Sequence, residues 1–295
     1  MRRSAQITGI AIAILCMTAG IIWYAVVQES RAGVLTVSFL DVGQGDAVFI
    51  TSPSGNTVLI DGGQTSRVLR ELGTVIPWYD RSIDVIIPTH ADADHIGGLI
   101  DVLDRYQVSH IIRPSTEGTT ALWRTFTEKI KVATTQGTHV TIAQRGQIIN
   151  LGGSTGSPQA PHAYLEVLMP DRPAPDLDTN TGCIVTRLVY GDTAFLLPCD
   201  APQAIEKYLV MLDGTDLRSD VLKAGHHGSK TSSGPLFLGY VNPHFGVYSR
   251  GCDNTYGMPH KETIATFEAF DIPTLDTCEQ GTITFESDGQ KVTVK

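Results

Sequence analysis

Residues 82–99, SIDVIIPTHADADHIGGL, restrict the possible folds more than any other stretch of this chain. The nearly unbroken apolar run at 83–87 reads as a strand covered on both faces. It passes into a loop carrying His90, Asp92, Asp94 and His95. A helix follows, with Ile96, Leu99, Ile100 and Leu103 on one stripe. Buried strand, polar loop and amphipathic helix in that order form a β-α unit, the building block of layered α/β folds. His90, Asp92 and Asp94 alternate, so an extended loop aims all three to one side. Asp94 and His95 stand at the helix start, where free N–H groups and the positive dipole end favour carboxylates. A single aspartate there would be a helix cap. The pattern H-x-D-x-D-H is a metal-ligand pattern.

The remaining chain repeats this logic. VLTVSFLDV, DAVFIT and NTVLIDGG read as three strands of a meander. TSRVLRELG reads as a short helix stopped by Gly73. Strands and helices then alternate through VSHIIRP, TALWRTFTEKIKVA, THVTI and QIINL. Loops rich in Gly, Pro, Ser or Asp, at 152–163 and 170–180, flank the strand YLEVLMP. CIVTRLVYGDTAFLLP is a hairpin turning at Gly191 and Asp192. The helix APQAIEKYLVML precedes DVLKAGHH and PHFGVYSRG, and the helix KETIATFEAF precedes PTLDT, GTITFES and KVTVK. This pattern predicts an α/β fold of two mixed sheets packed together, with helices outside.

The first residues are of another kind. Residues 7–27 are 21 residues without a charge, and a helix of that length spans roughly 30 Å, one hydrocarbon core. Arg2 and Arg3 precede the run, and Trp23 and Tyr24 lie near its far end, which places the N-terminus in the cytoplasm and the rest outside. The run is longer than a signal-peptide core of roughly 7–15 residues, and no A-x-A site follows it. The expected organisation is a cytoplasmic N-terminus at 1–6, a single-pass transmembrane helix at 7–27, a polar linker at 28–33 and one extracytoplasmic domain at 34–295. The formal net charge of −9 speaks against a broadly basic nucleic-acid binder. A metal-bearing groove can still hold a polyanion.

Further ligands are expected at other strand ends. LLPCDAP places Asp200 directly after an apolar strand, and LKAGHHGSKTSS places His226 and His227 after another. With the first loop they form a set able to hold two divalent ions, with one oxygen of Asp200 on each. The expected metal ligands are His90, Asp92, Asp94, His95, Asp200 and His226. No CxxC spacing suggests a structural zinc site.

DVGQGDAVFI, VLIDGG, THADADHIGGL, LKAGHHGSKTSS and NTYGMPHKET occur in that order between residues 41 and 263. This set resembles the metallo-β-lactamase-like domain at the C-terminal end of the ComEC family of DNA-uptake channel proteins. The resemblance covers essentially all of 34–295. It implies an αββα sandwich with the metals between the sheet edges, here preceded by the one transmembrane helix read from the apolar run. It implies a nuclease-type phosphodiesterase acting on DNA, single strand or duplex, as it enters the cell, with two ions activating water for attack on phosphorus. Asp92 stands where the wider superfamily has a second histidine, which favours a harder ion and raises manganese against zinc. Asp200 matches the bridging aspartate, but Cys199 precedes it where the family has glycine. Asn180 opens NTGC where the family has N-x-x-S. Met258 takes the histidine position of Tyr-Gly-His-Pro, with His260 two residues on. The family's channel helices are not in this chain, which implies a separate channel subunit as partner or a stand-alone anchored relative.

Other roles follow for the neighbours of these motifs. Asp61 would hydrogen-bond a ligand histidine. Asp94 and Asp200 would be catalytic through the metals, and Lys223 by meeting the phosphate. Gln44, Asp46, Asn180, His227, Ser229, Asn254 and His260 would support the site or line its substrate side. Two other readings stand beside the nuclease: a hydrolase of another cell-surface phosphodiester, and a non-catalytic module that binds DNA or assembles with a channel. Met258, Cys199 and the acidic balance motivate the second. A disulfide is expected between Cys252 and Cys278, which follow two strands joined by a helical crossover and so lie side by side. Cys183 and Cys199 are the weaker pair, since a bond there would sit beside the metal ligands.

Overall fold

Two sheets form, and they meet where the chain stops alternating strand with helix and begins to double back on itself. The structure, a computed structural model, describes residues 2–29, 33–153, 162–173 and 175–295. Most of the loop expected at 152–163 and part of the linker at 28–33 lie outside them. Helix α1 (Arg2–Glu29) carries the apolar run. Strands β1 (Leu35–Phe39), β2 (Val48–Thr51) and β3 (Thr57–Ile60) are the expected meander. Helix α2 (Arg67–Val75), β4 (Ser82–Ile87), α3 (Ala93–Arg105), β5 (Gln107–Arg113), α4 (Ala121–Thr135) and β6 (His139–Ile142) extend this sheet with parallel strands.

The second sheet starts with antiparallel β7 (Ile148–Gly153), β8 (His162–Met169), β9 (Val185–Tyr190) and β10 (Thr193–Leu197). Helix α5 (Gln203–Asp213), β11 (Val221–Lys223), α6 (Pro235–Val241), β12 (Phe245–Tyr248), α7 (Lys261–Ala269) and β13 (Thr274–Asp276) complete it with parallel crossovers. After the short helix α8 (Thr277–Gln280) the chain returns to the first sheet, where β14 (Ile283–Ser287) pairs with β1 and β15 (Val292–Val294) forms the edge.

The inner faces of both sheets share one core, including Val37, Phe39, Ile60, Val85 and Ile87 from the first and Leu165, Leu188, Phe195 and Val247 from the second. Ile96, Leu99, Trp123 and Phe126 cover the first sheet from outside, and Leu209, Phe237, Leu238 and Phe267 cover the second. Each such side chain contributes about 1.5–3 kcal/mol by burial. Coverage on both faces explains why β10 is buried throughout. It also explains the solid apolar run of β4.

Gly73 does not end α2. The helix continues to Val75, and the Ile76 N–H still bonds the Leu72 carbonyl. A helical glycine costs only about 1 kcal/mol, and the packing of Leu72 and Ile76 outweighs it. Helix α6 carried no clear sequence signal; it is seven residues long, opened by Pro235 and closed by left-handed Asn242.

Both pairs of domain cysteines are bonded. Cys252 and Cys278 leave the parallel neighbours β12 and β13 with Cα atoms 5.0 Å apart, as their crossover implied. Cys183 and Cys199, the weaker pair by sequence, are bonded as well, at a Cα separation of 6.6 Å. The hairpin explains it: Thr186 faces Leu197, so the residues just before β9 and just after β10 meet. Cys16 is the free cysteine among the described residues.

Glu206 ties α5 to the loop beyond β11. Its buried carboxylate accepts the N–H groups of Ser233 and Gly234. Burial pushes its pKa from an ordinary 4.5 up to about 7, against the pull of those two donors. A carboxyl whose folded pKa is raised favours the folded state while protonated. Its contribution is full below the ordinary value and is lost as pH rises through about 7. Glu206→Gln removes the titrating group, though its amide nitrogen cannot accept the second N–H. The native chain should lose melting temperature between pH 5 and pH 8 by more than Glu206→Gln does; equal losses in the two would contradict this role.

Candidate metal centre

The parallel strands of both sheets point the same way, and their carboxyl ends gather at one pole. Ligand sites in α/β sheets lie at such ends. β4 delivers His90, which is fully buried, and α3 begins with Asp92 as its N-cap and Asp94 and His95 in its first turn. β10 delivers Asp200 from the other sheet, and β11 delivers Lys223 and the turn Gly225–Gly228.

These side chains converge on Asp200. The Nε2 atoms of His95 and His227 each lie 3.3 Å from its Oδ2, and that of His90 lies 3.9 Å away. Asp94 Oδ2 is 3.3 Å from His227 Nε2, and Asp92 Oδ2 is 3.7 Å from His90 Nε2.

Each ring is oriented through its other nitrogen. His95 Nδ1 donates to Asp61 Oδ2 at 2.8 Å, and His227 Nδ1 donates to the Ser249 carbonyl at 2.9 Å. The Thr89 hydroxyl donates to Asp61, so its oxygen accepts from His90 Nδ1 at 2.9 Å. Held this way, the rings in their neutral form all aim an Nε2 lone pair inward.

Those three Nε2 atoms, with Asp200 Oδ1 and Asp46 Oδ1, are buried without a hydrogen-bond partner among the described residues. Each such atom costs about 1–3 kcal/mol if left so. Four sets of three ligand atoms here, each within 4.8 Å, could hold a cation. The charge fits as well. Among the described residues, the fixed cation that answers Asp46, Asp61, Asp92, Asp94 and Asp200 is Lys223, leaving four formal negative charges, matched in size by two divalent ions. The residues present therefore fit a pair of divalent metals.

The electrostatics express the same demand. Burial holds the His90 pKa down to about 3, with His95 adding repulsion. Burial also acts to lower His95 and His227, but Asp200, with Asp61 beside the first and Asp46 beside the second, outweighs it and raises both well above 6.5. Burial acts to raise Asp200, yet His227 and His95 hold it well below the usual carboxylate range.

The backbone is strained where the site is built. Asp61, Cys199, His226 and His227 have φ of 59°, 48°, 48° and 55°, a conformation that costs non-glycine residues of order 1–3 kcal/mol. The resembling family has glycine at position 199, which suits that conformation; here Cys199 adopts it while bonded to Cys183. Gly45, at φ 116°, is required: a Cβ there would lie 1.9 Å from the Asp94 carbonyl oxygen.

Several residues take places other than those read from sequence. His227 sits deeper in the cluster than His226; its side chain is 1% exposed, whereas that of His226 is 27% exposed and stands at the rim with Nε2 3.6 Å from Asp200 Oδ2. Two successive left-handed residues turn the second histidine inward. Lys223 was expected to meet a phosphate, but it is buried, bonds Asp46 and the Cys199 carbonyl, and lies 3.6 Å from Asp200 Oδ1. Gln44 accepts the Gly251 N–H at 3.3 Å, and Asn254 clamps Gly251 and Met258, so both brace loops. His260 is the N-cap of α7 and accepts the Lys230 N–H; Ser229 is buried and bonds Thr231. Asn180 has a buried Oδ1 without a partner among the described residues, while its neighbour Thr179 bonds Asp92 at 2.9 Å. Thr89 and Ser249, which orient two of the rings, carried no sequence signal beyond adjacency to a motif or a strand end.

Residues 40–163 match the family model described as the metallo-β-lactamase superfamily. The sandwich and the site above agree with that match, so the chain carries a metallo-β-lactamase-like domain. Its relatives include ComE operon protein 3 of Bacillus subtilis, 30% identical over 267 residues, covering 84% of this chain and 32% of that protein. Recombination protein 2 of Haemophilus influenzae is 27% identical over 252 residues, covering 84% and 28%. Competence protein ComA of Neisseria gonorrhoeae is 37% identical over 110 residues, covering 37% and 16%. The chain thus spans no more than about a third of these relatives' own length. Among solved structures, a variant of the β-hydroxylase CmlA superposes with a TM-score of 0.52 at 13% identity, covering 85% of this chain and 53% of that one, and shows the shared fold.

Lys223→Met would remove the ammonium that bonds Asp46 and leave His227, 3.2 Å away, as its remaining partner, so breaking this buried pair costs at most about 3–5 kcal/mol. Urea unfolding in the presence of a chelator should show a loss of that size, narrowed by added divalent metal. Unchanged stability in chelator would show that the pair carries nothing.

Proposed function

We propose that the chain is a membrane-anchored, metal-dependent phosphodiesterase that cuts DNA during uptake. The observation that carries this reading is the convergence of three unpaired imidazole nitrogens and four aspartates on one buried centre. His90 and Asp92 with one oxygen of Asp200 would hold one divalent ion; Asp94, His95 and His227 with Asp200 would hold the other. Bound there, the pair supplies Lewis acidity and a water activated near neutral pH. The donor set has three carboxylates beside three imidazoles, which suits manganese as well as zinc.

The protein's own part is orientation and proton handling. Asp61, Thr89 and the Ser249 carbonyl hold the three rings in place. Lys223 keeps Asp46 ionised and steadies Asp200 from behind. His226, at the rim, is the group placed to give a proton to a departing oxygen at its Nε2.

DNA is the phosphodiester assigned because one relative, ComA, is named a competence protein, and competence is DNA uptake. Residues 6–24 within α1 have a mean hydropathy of 2.0 and suffice in length to cross a membrane. With Arg2 and Arg3 before them, we assign 1–6 to the cytoplasm, 7–27 to the anchor, 28–33 to a linker and 34–295 to a domain outside. A channel subunit is the partner this arrangement calls for.

The test is hydrolysis of linear DNA by the full chain with manganese or zinc. Asp200→Asn and His227→Ala should fall to background with the fold intact. His226→Ala should keep its metal and slow by about 10²-fold. Full turnover by folded Asp200→Asn would overturn the mechanism; faster cleavage of a phosphocholine ester than of DNA would move the substrate.

A further inference from the structure

The pole opposite the metal centre carries features that the chemistry does not use. β1 begins there at Leu35, six residues after α1 ends at Glu29. The register locates the other loops at the same level: Thr36 faces Thr51, Thr51 faces Thr57, and Thr57 bonds Asp84, so Ser82 at the start of β4 lies level with the start of β1. The loop 77–81 that enters β4 therefore sits at the tethered pole. It presents Trp78, 84% exposed, and Tyr79, 48% exposed, with their rings in edge contact at 5.7 Å.

The other layer adds to this pole. Helices α5, α6 and α7 each return from the metal end, and they finish in exposed Met211 and Leu212, Tyr240, and Phe270. Arg81 and Arg105 are exposed beside the aromatic loop, with the Arg81 guanidinium 5.9 Å from the Tyr106 ring centre. Exposed Trp and Tyr with flanking arginines match a membrane–water interface, where aromatic rings sit at headgroup level and guanidinium groups meet lipid phosphates.

We propose that this pole rests on the bilayer that α1 enters, with Trp78 and Tyr79 seated in the headgroup layer. The occupant is the lipid surface itself, because the tether emerges at the same pole and holds it there. From Leu35 to Asp41 the chain advances roughly 20 Å at about 3.3 Å per residue, so the metal centre faces away from the membrane. A polymer arriving from outside would meet the site before it reaches the bilayer. The proposal rests on α1 as a membrane span and is independent of whether the site hydrolyses DNA.

The experiment uses the full chain in phosphatidylcholine vesicles. In a Cys16→Ser background, Trp78→Cys and Tyr256→Cys each receive an environment-sensitive fluorophore; Tyr256 is exposed on the loop after β12, at the metal pole. The label at 78 should be blue-shifted and quenched by acyl-brominated lipid. The label at 256 should respond to aqueous iodide and not to the lipid. If both labels are equally open to iodide while the chain stays with the vesicles through a carbonate wash, the membrane contact is wrong and the anchor stands. If the wash strips the chain from the vesicles, the anchor fails and the contact with it. Neither readout depends on hydrolysis.

Discussion

Asp200 comes from the second sheet, and His90 and His95 come from the first; their meeting at 3.3–3.9 Å is the constraint on which the rest of this structure depends. The contact exists only because the two sheets share one core, so that Phe39 and Ile87 pack with Phe195 and Val247 and bring the carboxyl ends of β4 and β10 together. The fold's largest stabilising term, apolar burial, is what supports its least favourable local arrangement. That arrangement is five carboxylates gathered around one lysine, with three imidazole nitrogens unpaired. Buried charge of this kind is tolerated when it is paired or bound to metal.

The strained backbone belongs to the same account. Asp61, Cys199, His226 and His227 all stand immediately beyond strands of the inner core, where the chain leaves a regular ladder and must turn sharply. Anchoring on one side by the sheet, and on the other by the Cys183–Cys199 bond or by the Glu206 carboxylate, lets these residues hold conformations that a free loop would relax. Rings and carboxylates on such supports stay where they are aimed, whatever binds between them.

The sequence was most legible where the signal was local. The alternation of His90, Asp92 and Asp94 after an apolar run located strand, loop and helix together, and the crossover between Cys252 and Cys278 placed two cysteines side by side. It was least legible where two neighbours compete or partners lie far apart. His226 and His227 are adjacent, and their order was decided by two positive φ angles that no pattern of residue types encodes. The Lys223–Asp46 pair joins residues 177 positions apart in chain order, from opposite sheets. Cys183 and Cys199 were set aside for closeness to the ligands, yet hairpin register alone brings them together. Gly73 looked like a helix stop because its local cost is visible in sequence and the packing that offsets it is not.

The central claim is that this centre is built for a pair of divalent cations, and metal analysis of the full chain tests it most directly. After equilibration with manganese or zinc and removal of excess ion, the account expects two divalent ions per folded chain, with His95 and His227 carrying no proton on Nε2 by nitrogen-resolved NMR. A folded chain that retains no divalent ion, with both rings doubly protonated at neutral pH, would contradict it: the histidines themselves would then supply the positive charge that the aspartates require.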